Sequence, residues 1–514
     1  MLSSSLYIGT TRLMLGRTAR AYRPIHSASV TRGAVIPNRQ DGYIALLLGA
    51  VTALSRLPFM AGRLWEWDSV LYARALEQGF HVDEVLPGMR PHPPGYIFYV
   101  AAAGLAKLLG LDSDHALVAV SVIASAAAAA LCYLLCRRFA GRALSLALAI
   151  AFAAAPLVWV HGEVAMPYIL LAPISTALAL MFRDARRAGT RRVLLVSFAF
   201  GALGGFRQDL LLFLFPLWLW MLWPAAATAR VRAAIGFVAG CTLWLVPSAL
   251  LSDGLVAYVT RSVRQLTGVS GVSANADRSI PLNAVLVGDS LFWAGLLLTV
   301  ALLVLGLSRA LASIRGQRLP DDAEAGFFAL WLLPALFFYL FVHIGEWGFV
   351  LSIVPGIYAL LAWLLARFAV NQRAVAAAVL ANAVLAAALF LAGDHPVFSR
   401  ASLVAHDRVT DEKTAWIRDH APRDSIVLAA AEVLVASYYL PDRVVRYSND
   451  AAAATYDLAI DGPTTLVIYE PAARPATVRI SETVEFTSGT TLDLATVSSG
   501  TLRLHGTDIG DTRR

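Results

Sequence analysis

Charge is what this sequence has least of. Asp, Glu, Lys and Arg make up 15% of its 514 residues, against about a quarter in ordinary soluble proteins, and mean hydropathy is +0.64. That shortage excludes a soluble globular main body. Cysteine is scarce as well: Cys132, Cys136 and Cys241 all lie inside apolar runs. No disulfide framework or zinc spacing is available to them, and Cys132 and Cys136 share a helical face that suits core contact. The amino end lacks a continuous apolar run before a small-residue cleavage site, so a cleaved signal peptide is not expected. No tandem repeat of about 20–50 residues recurs. The net charge of +7 does not indicate nucleic acid, because the basic residues sit in short clusters between apolar runs, where they set membrane topology.

What the chain does have is a succession of apolar runs about 20 residues long, the length needed to cross a hydrocarbon core of about 30 Å. Candidate spans fall at 42–62, 116–136, 143–161, 165–182, 193–206, 210–224, 233–251, 285–307, 326–345, 348–367 and 374–392. With the Arg-rich amino end (1–41) in the cytoplasm, CRRFAGR (136–142), RDARRAGTRR (183–192), ARVR (229–232), SRALASIRGQR (308–318) and NQR (371–373) all fall inside. The frame holds only if Tyr96–Leu111 does not cross. That segment is therefore expected as a re-entrant or juxtamembrane helix within a first external loop, 63–115. The fold class is a polytopic α-helical membrane protein of about 11 spans over 42–393. After Gly393 the composition changes. Residues 400–505 alternate polar helical patches with strand-like runs, IVLAAA (426–431), TTLVIYE (464–470), VRISETVEF and TTLDLATV, and read as a small external α/β domain before a tail at 506–514.

The same frame gathers polar residues on the external face. Asp68, Arg74, Arg90 and His92 come from the first loop, and His161 and Glu163 from the end of the third span. Arg207 and Asp209 lie at the end of the fifth span, and His343 and Glu346 at the end of the ninth. Ionisable groups at membrane depth are costly and mark functional sites by default. Each has a plainer reading. Asp68 would stabilise the start of a helix through its dipole, HPP (92–94) would end one segment and begin another, and Arg207–Asp209 would be an interfacial ion pair. His343 and Glu346, three apart on a helical face, suit a hydrogen-bonded or metal-binding pair. Glu163 would cap the helix beginning near Met166.

In their order, WDSVLYARAL, HPPGYIFYVAAAGLAKLLG, CRRFAGRALSLALAIAFAAAPLVWVHGEVAMPYILL, GALGGFRQDLLLFLFPLW and HIGEWGFVLSIVPGIYALLA resemble the GT-C superfamily of integral membrane glycosyltransferases. The likeness is to glycosyltransferase family 39 and its relatives: protein O-mannosyltransferases, lipid A aminoarabinose transferases and rhizobial core transferases. It covers about residues 42–370. The resemblance implies an inverting transfer from a polyprenyl-phosphate-linked sugar to a lipid, glycan or protein acceptor at the outer face of a bacterial plasma membrane. It implies Asp68 as the catalytic carboxylate and Arg207 as the phosphate ligand, with Arg74 and Arg90 in reserve. His92, Glu163, Asp209, His343 and Glu346 would then line the substrate cavity. It leaves open a divalent cation, Mg or Mn, on Asp68 and Glu163. Many relatives carry Asp-Glu where this chain has Asp68-Ser69, which bears against a paired-acid role there. A transporter or lipid-linked sugar flippase, or an idle scaffold, are the alternative readings. Against the first, the notable charges gather at external span ends, not in repeated halves.

Overall fold

The computed structural model describes residues 37–83, 89–186, 188–275, 280–295, 322–368, 371–510 and 512. The expected amino-terminal tail up to residue 36, SRALASIRGQR and the second half of the 285–307 run lie outside the described residues.

The chain opens with α1 (Arg39–Arg56), followed by two shorter helices, α2 (Trp67–Gln78) and α3 (Ile97–Leu108), that occupy the expected first external loop. Next come α4 (Ser113–Arg137), α5 (Arg142–Ala154), α6 (Pro156–His161) and α7 (Leu171–Ala185). They are followed by α8 (Thr190–Leu203), α9 (Asp209–Leu222), α10 (Ala227–Leu250), α11 (Leu255–Asn275) and α12 (Ile280–Gly295). The membrane body closes with α13 (Asp322–Phe341), α14 (Val354–Phe368) and α15 (Gln372–Ala392). Among the described residues, six helical segments are both long and apolar enough to cross a bilayer: Arg39–Phe59, Ser113–Arg137, Pro167–Ala185, Ala227–Leu250, Glu324–Phe341 and Gln372–Ala392. The remaining expected spans coincide with shorter helices. The molecule is a polytopic, mostly helical membrane protein.

The α4 helix is the axis of the bundle, touching α1, α3, α5, α7 and α14. Its Ala124, Ala128, Ala129 and Cys132 are buried, small enough to let backbones close up where apolar burial alone gives little drive. The α8–α10 contact is tighter still: a Cβ on Gly201 would lie 2.1 Å from Phe237 O, and one on Gly240 2.2 Å from Phe198 O. At the end of the bundle opposite the first loop, fully buried Asp41 accepts hydrogen bonds from Tyr133 Oη (2.9 Å), Arg137 Nε (3.0 Å) and Arg142 Nε (3.0 Å). It thereby ties α1, α4 and α5 together.

The Ile97–Leu108 helix spans 12 residues, about 18 Å, too short to cross. One face (Ile97, Tyr99, Val100, Ala103) is buried, while Leu105 and Leu108 are exposed. The ninth expected span stops early. The α13 helix ends at Phe341, and residues 343–346 form a loop before a 3₁₀ turn, Trp347–Ser352. His343 and Glu346 therefore do not share a helical face. The helical run has already ended at Phe341, ahead of both residues.

After α15 the chain forms α16 (Arg400–His420), β1 (Ile426–Ala429), α17 (Val433–Tyr439), β2 (Val444–Tyr447), β3 (Thr455–Ile460), β4 (Thr464–Ile468), β5 (Glu482–Glu485), β6 (Thr491–Val497) and β7 (Gly500–His505). The main sheet has the order β2-β1-β4-β6-β5. Its centre is parallel, Val427 pairing with Val445 on one side and Val467 on the other, which explains why these runs are continuously apolar and not alternating. The acid-rich β5, antiparallel to β6, occupies one edge, where charge discourages further pairing. A separate β3–β7 ribbon is antiparallel. Ser399 caps α16, its hydroxyl accepting from Ser402 N at 3.1 Å, and the helix stops just short of Pro422.

Candidate active site

Asp68 lies in the first turn of α2. The helix start is fixed by Ser69, whose hydroxyl accepts from Glu66 N at 2.9 Å and which is fully buried. This is the physical content of Ser69 following Asp68. The position faces inward as a cap, while Asp68 itself remains a quarter exposed. The acid that does accompany Asp68 is Glu66, two residues earlier. Burial, and then the charges of Glu346 and Asp68, push the Glu66 carboxyl well above the usual carboxylate range.

Opposite Asp68 stands His92, its Nε2 3.2 Å from Asp68 Oδ1. Its Nδ1 lies 2.8 Å from Pro93 O, and a carbonyl can only accept, so Nδ1 carries a proton. A neutral ring would then aim a lone pair at the carboxylate. The arrangement is satisfied by an imidazolium. Burial by itself lowers the histidine, but the Asp68 charge and hydrogen bond outweigh it and hold His92 above its ordinary value. Reciprocally, burial would raise Asp68, yet His92 and then Arg207 keep it below the usual carboxylate range.

Arg207 enters from the turn between α8 and α9. Asp209 accepts from its Nη2 at 2.8 Å and from its Nε at 3.3 Å, and Nη1 takes no part in that pair. The guanidinium is boxed by the rings of Tyr96, Tyr168 and Phe349 at 4.6, 5.0 and 5.2 Å, a geometry that favours a cation held out of water. Tyr96 reaches it through a sharp turn in HPPGYIFY. Gly95 has φ +84 and Tyr96 φ +47. A Cβ on Gly95 would sit 2.4 Å from Val82 Cγ2, so only glycine fits. Phe98 N then bonds Gly205 O at 3.1 Å, pinning α3 beside the Arg207 turn.

The structure thus brings together Asp68, His92, Arg207 and Asp209, with Glu346 close enough to act on Glu66. His343 lies against Phe349, ring centroids 6.1 Å apart. It does not bring in the rest. Arg74 is buried between Met89 Sδ (2.7 Å) and Ser437 Oγ (2.8 Å), a tie to α17. Arg90 bonds Gly79 O at 3.3 Å at the surface. Glu163 is fully buried in the turn after α6. Its Oε1 accepts from Trp159 Nε1 at 2.6 Å, and the charge that reaches it is that of Arg56, not Arg207. The Arg56 guanidinium stacks 4.2 Å over the Trp159 ring. His161, from the same turn, bonds Leu157 O at 2.8 Å. Asp68 and Glu163 are held by different partners, His92 on the first and Trp159 on the second. Among the described residues no group of three or more His, Cys, Asp or Glu is arranged around a metal ion.

Glu66 and the aromatic box were missed in the sequence. WEWD holds the only local signal for Glu66, an acid at the cap position of α2, and nothing local links Tyr96, Tyr168 and Phe349.

This arrangement of helices, with a polar site over their ends and a small sheet region following, matches the GT-C fold of ArnT. The chain aligns with the crystal structure of ArnT from Cupriavidus metallidurans bound to undecaprenyl phosphate at a TM-score of 0.54 and 14% identity, covering 89% of this chain and 97% of that one. The apo state of ArnT, a lipid A aminoarabinose transferase, gives 0.56 and 13%, covering 89% and 98%. The cryo-EM structure of the arabinofuranosyltransferase AftD from Mycobacteria aligns more loosely, at 0.47 and 13%, with 92% of this chain and 40% of that one. No protein-family model and no curated protein sequence matches the chain.

Proposed function

We propose that the protein is an inverting glycosyltransferase that moves a sugar from a polyprenyl-phosphate-linked donor to a lipid, glycan or protein acceptor on the outer face of a bacterial plasma membrane. The observation that carries the reading is the convergence of Asp68, a carboxylate held below its usual range, and a buried guanidinium, Arg207, whose charge reaches it. The undecaprenyl phosphate in the ArnT structure supports a lipid-linked donor for the shared fold.

In this reading His92 holds Asp68 Oδ1, and Oδ2 takes the proton of the acceptor hydroxyl as general base. The acceptor oxygen forms its bond to the anomeric carbon as the carbon–phosphate oxygen bond breaks from the opposite side, which inverts the centre. The phosphate leaves without a proton, so no second carboxylate acting as acid is required, unlike glycoside hydrolysis. Arg207, through Nη1, neutralises the departing phosphate, and Asp209 and the aromatic box fix the direction of its fork. On this reading, eleven spans with the arginine clusters inside leave Asp68 and the sheet region on the outer face.

The test is turnover of a panel of polyprenyl-phosphate hexoses and pentoses by the protein in proteoliposomes. Asp68→Asn is expected to remove transfer while the protein still elutes as a folded species in detergent. Retained turnover in that variant rules out Asp68 as base. Directional movement of the lipid-linked sugar with no glycosidic product would turn the reading to a flippase.

A further inference from the structure

The chain entering α2 is gripped from outside the membrane body. Gly62 N and Arg63 N both donate to Asp407, to Oδ2 at 2.7 Å and Oδ1 at 3.1 Å. Leu64 N donates to Tyr439 Oη at 2.8 Å, and Leu64 O lies 3.0 Å from His406 Nε2. Trp67 Nε1 donates to Ala431 O. Arg63 Nε meets Asp411 at 2.6 Å, and Trp65 lies against the His406 ring at 4.7 Å. Beyond Asp68 the grip resumes: Arg74 donates to Ser437, and Tyr438 Oη to Glu77 at 2.6 Å. Every partner belongs to the region after α15. Three consecutive loop amides that would otherwise need water are satisfied by two side chains of that region, a full accounting of the backbone just before the site.

From this we infer that the carboxy-terminal region is the positioning element for Asp68, with Asp407 as its principal positioning residue. The inference rests on the reading of Asp68 as the base. The carboxylate of Asp407 is the only kind of side chain that accepts from two adjacent amides with one oxygen each. Burial, with Asp411 adding to it, holds Asp407 above its ordinary value, and the two amide bonds and His406 offset part of that rise. His406 and Asp407 are neighbours on α16, and Asp411 lies one turn on. One rigid helix therefore sets the path of residues 62–64, and through the Ser69 cap the angle at which Asp68 leaves the membrane surface. The region contributes no group to the reacting atoms. Its effect is on geometry, where a displacement of about 1 Å can cost on the order of a hundredfold in rate.

The experiment is Asp407→Asn, whose amide can accept from one of the two N–H groups but presents its own donors to the other. Turnover is measured with whichever donor of the panel is consumed, alongside binding of undecaprenyl phosphate by native mass spectrometry and amide exchange over residues 60–70. The expected result is a fall of about 10- to 100-fold in kcat, a donor KM changed less than about twofold, undiminished lipid binding, and faster exchange confined to residues 62–64. Asp407→Glu should recover part of the loss. An unchanged kcat overturns the inference. So does a fall that comes with loss of lipid binding and general deprotection, which would mark a merely structural role. Asp68→Asn run in parallel separates the two readings. Activity lost there but full in Asp407→Asn rejects the positioning role alone, whereas activity retained in Asp68→Asn rejects the base.

Discussion

Replacing His92 with Gln tests the electrostatics of the site at one atom. The imidazolium lies 3.2 Å from Asp68 Oδ1, with the two side chains only 19% and 25% exposed, so solvent screens the pair weakly. Gln keeps a donor and removes the charge. A charge-assisted hydrogen bond contributes about 1.5–3 kcal/mol and a neutral one about 0.5–1.5. The difference, about 1 kcal/mol or somewhat more, corresponds to about one unit of pKa. Burial, the largest influence on Asp68, is then less opposed and the carboxyl rises. The assay is kcat/KM for transfer from about pH 4 to about pH 8, a profile that reports the free enzyme's groups. Its acid limb should move up by about one pH unit. Stability should follow with a definite sign. Asp68 is lowered on folding, so its contribution is present above the ordinary carboxylate value of 3.8 and lost as pH falls through its folded value. His92 is raised, so its contribution is complete below its ordinary 6.5 and lost as pH rises through its folded value. The pair therefore contributes most between those two values, and His92→Gln should flatten the stability profile there. An acid limb that does not move, or moves down, refutes the imidazolium–carboxylate assignment.

Substitutions at two further residues separate roles that the sequence left mixed. Arg207→Lys keeps a positive charge but cannot serve Asp209 and a phosphate through a planar fork. The donor KM should rise about tenfold with the fold intact, and an unchanged KM would remove Arg207 from the phosphate. Glu163→Gln preserves the acceptor for Trp159 Nε1 and should leave donor KM unaltered. Glu163→Ala, which orphans that indole N–H, should lose about 1–3 kcal/mol in denaturant unfolding. A large rise in donor KM in the Gln variant would return Glu163 to the substrate cavity.

How legible the protein was from its residues depended on range. Apolar length and the placement of arginines are local or one-dimensional signals, so the expected spans coincide with helices over the described residues, and the charge frame marks Tyr96–Leu111 as a segment that does not cross. The continuous apolar runs of β1 and β4 were equally readable. The β2, β3 and β7 strands were not, because four to six residues of mixed polarity acquire their pairing from distant partners. The start of α16 was missed for a similar reason: RASLVAHDRVT presents His406 and Asp407 to a loop more than three hundred residues earlier, and such a face looks merely polar in the sequence. Within the site, Asp68 and Arg207 were found through their neighbours in motifs. Arg74 and Glu163 lie in the same set of motifs and on the same expected side of the membrane, which is why they were grouped with them. Sidedness restricts residues to a plane, and the direction of each helix face decides which of them meet.

Asp41 bears on that sidedness in another way. The arginines of CRRFAGR orient the nascent chain by remaining charged and uncompensated while each segment passes into the lipid. In the finished protein they are no longer uncompensated: Arg137 and Arg142 converge on Asp41, and Arg138 meets Asp184 at 2.7 Å. The same side chains thus act twice, first as a signal read one helix at a time and later as a rivet that exists only once α1, α4 and α5 have assembled. The order matters, because Asp41 emerges well before its partners. A carboxylate that is harmless to orientation at synthesis becomes, after assembly, the lock that holds the first helix to the bundle whose opposite end carries Asp68.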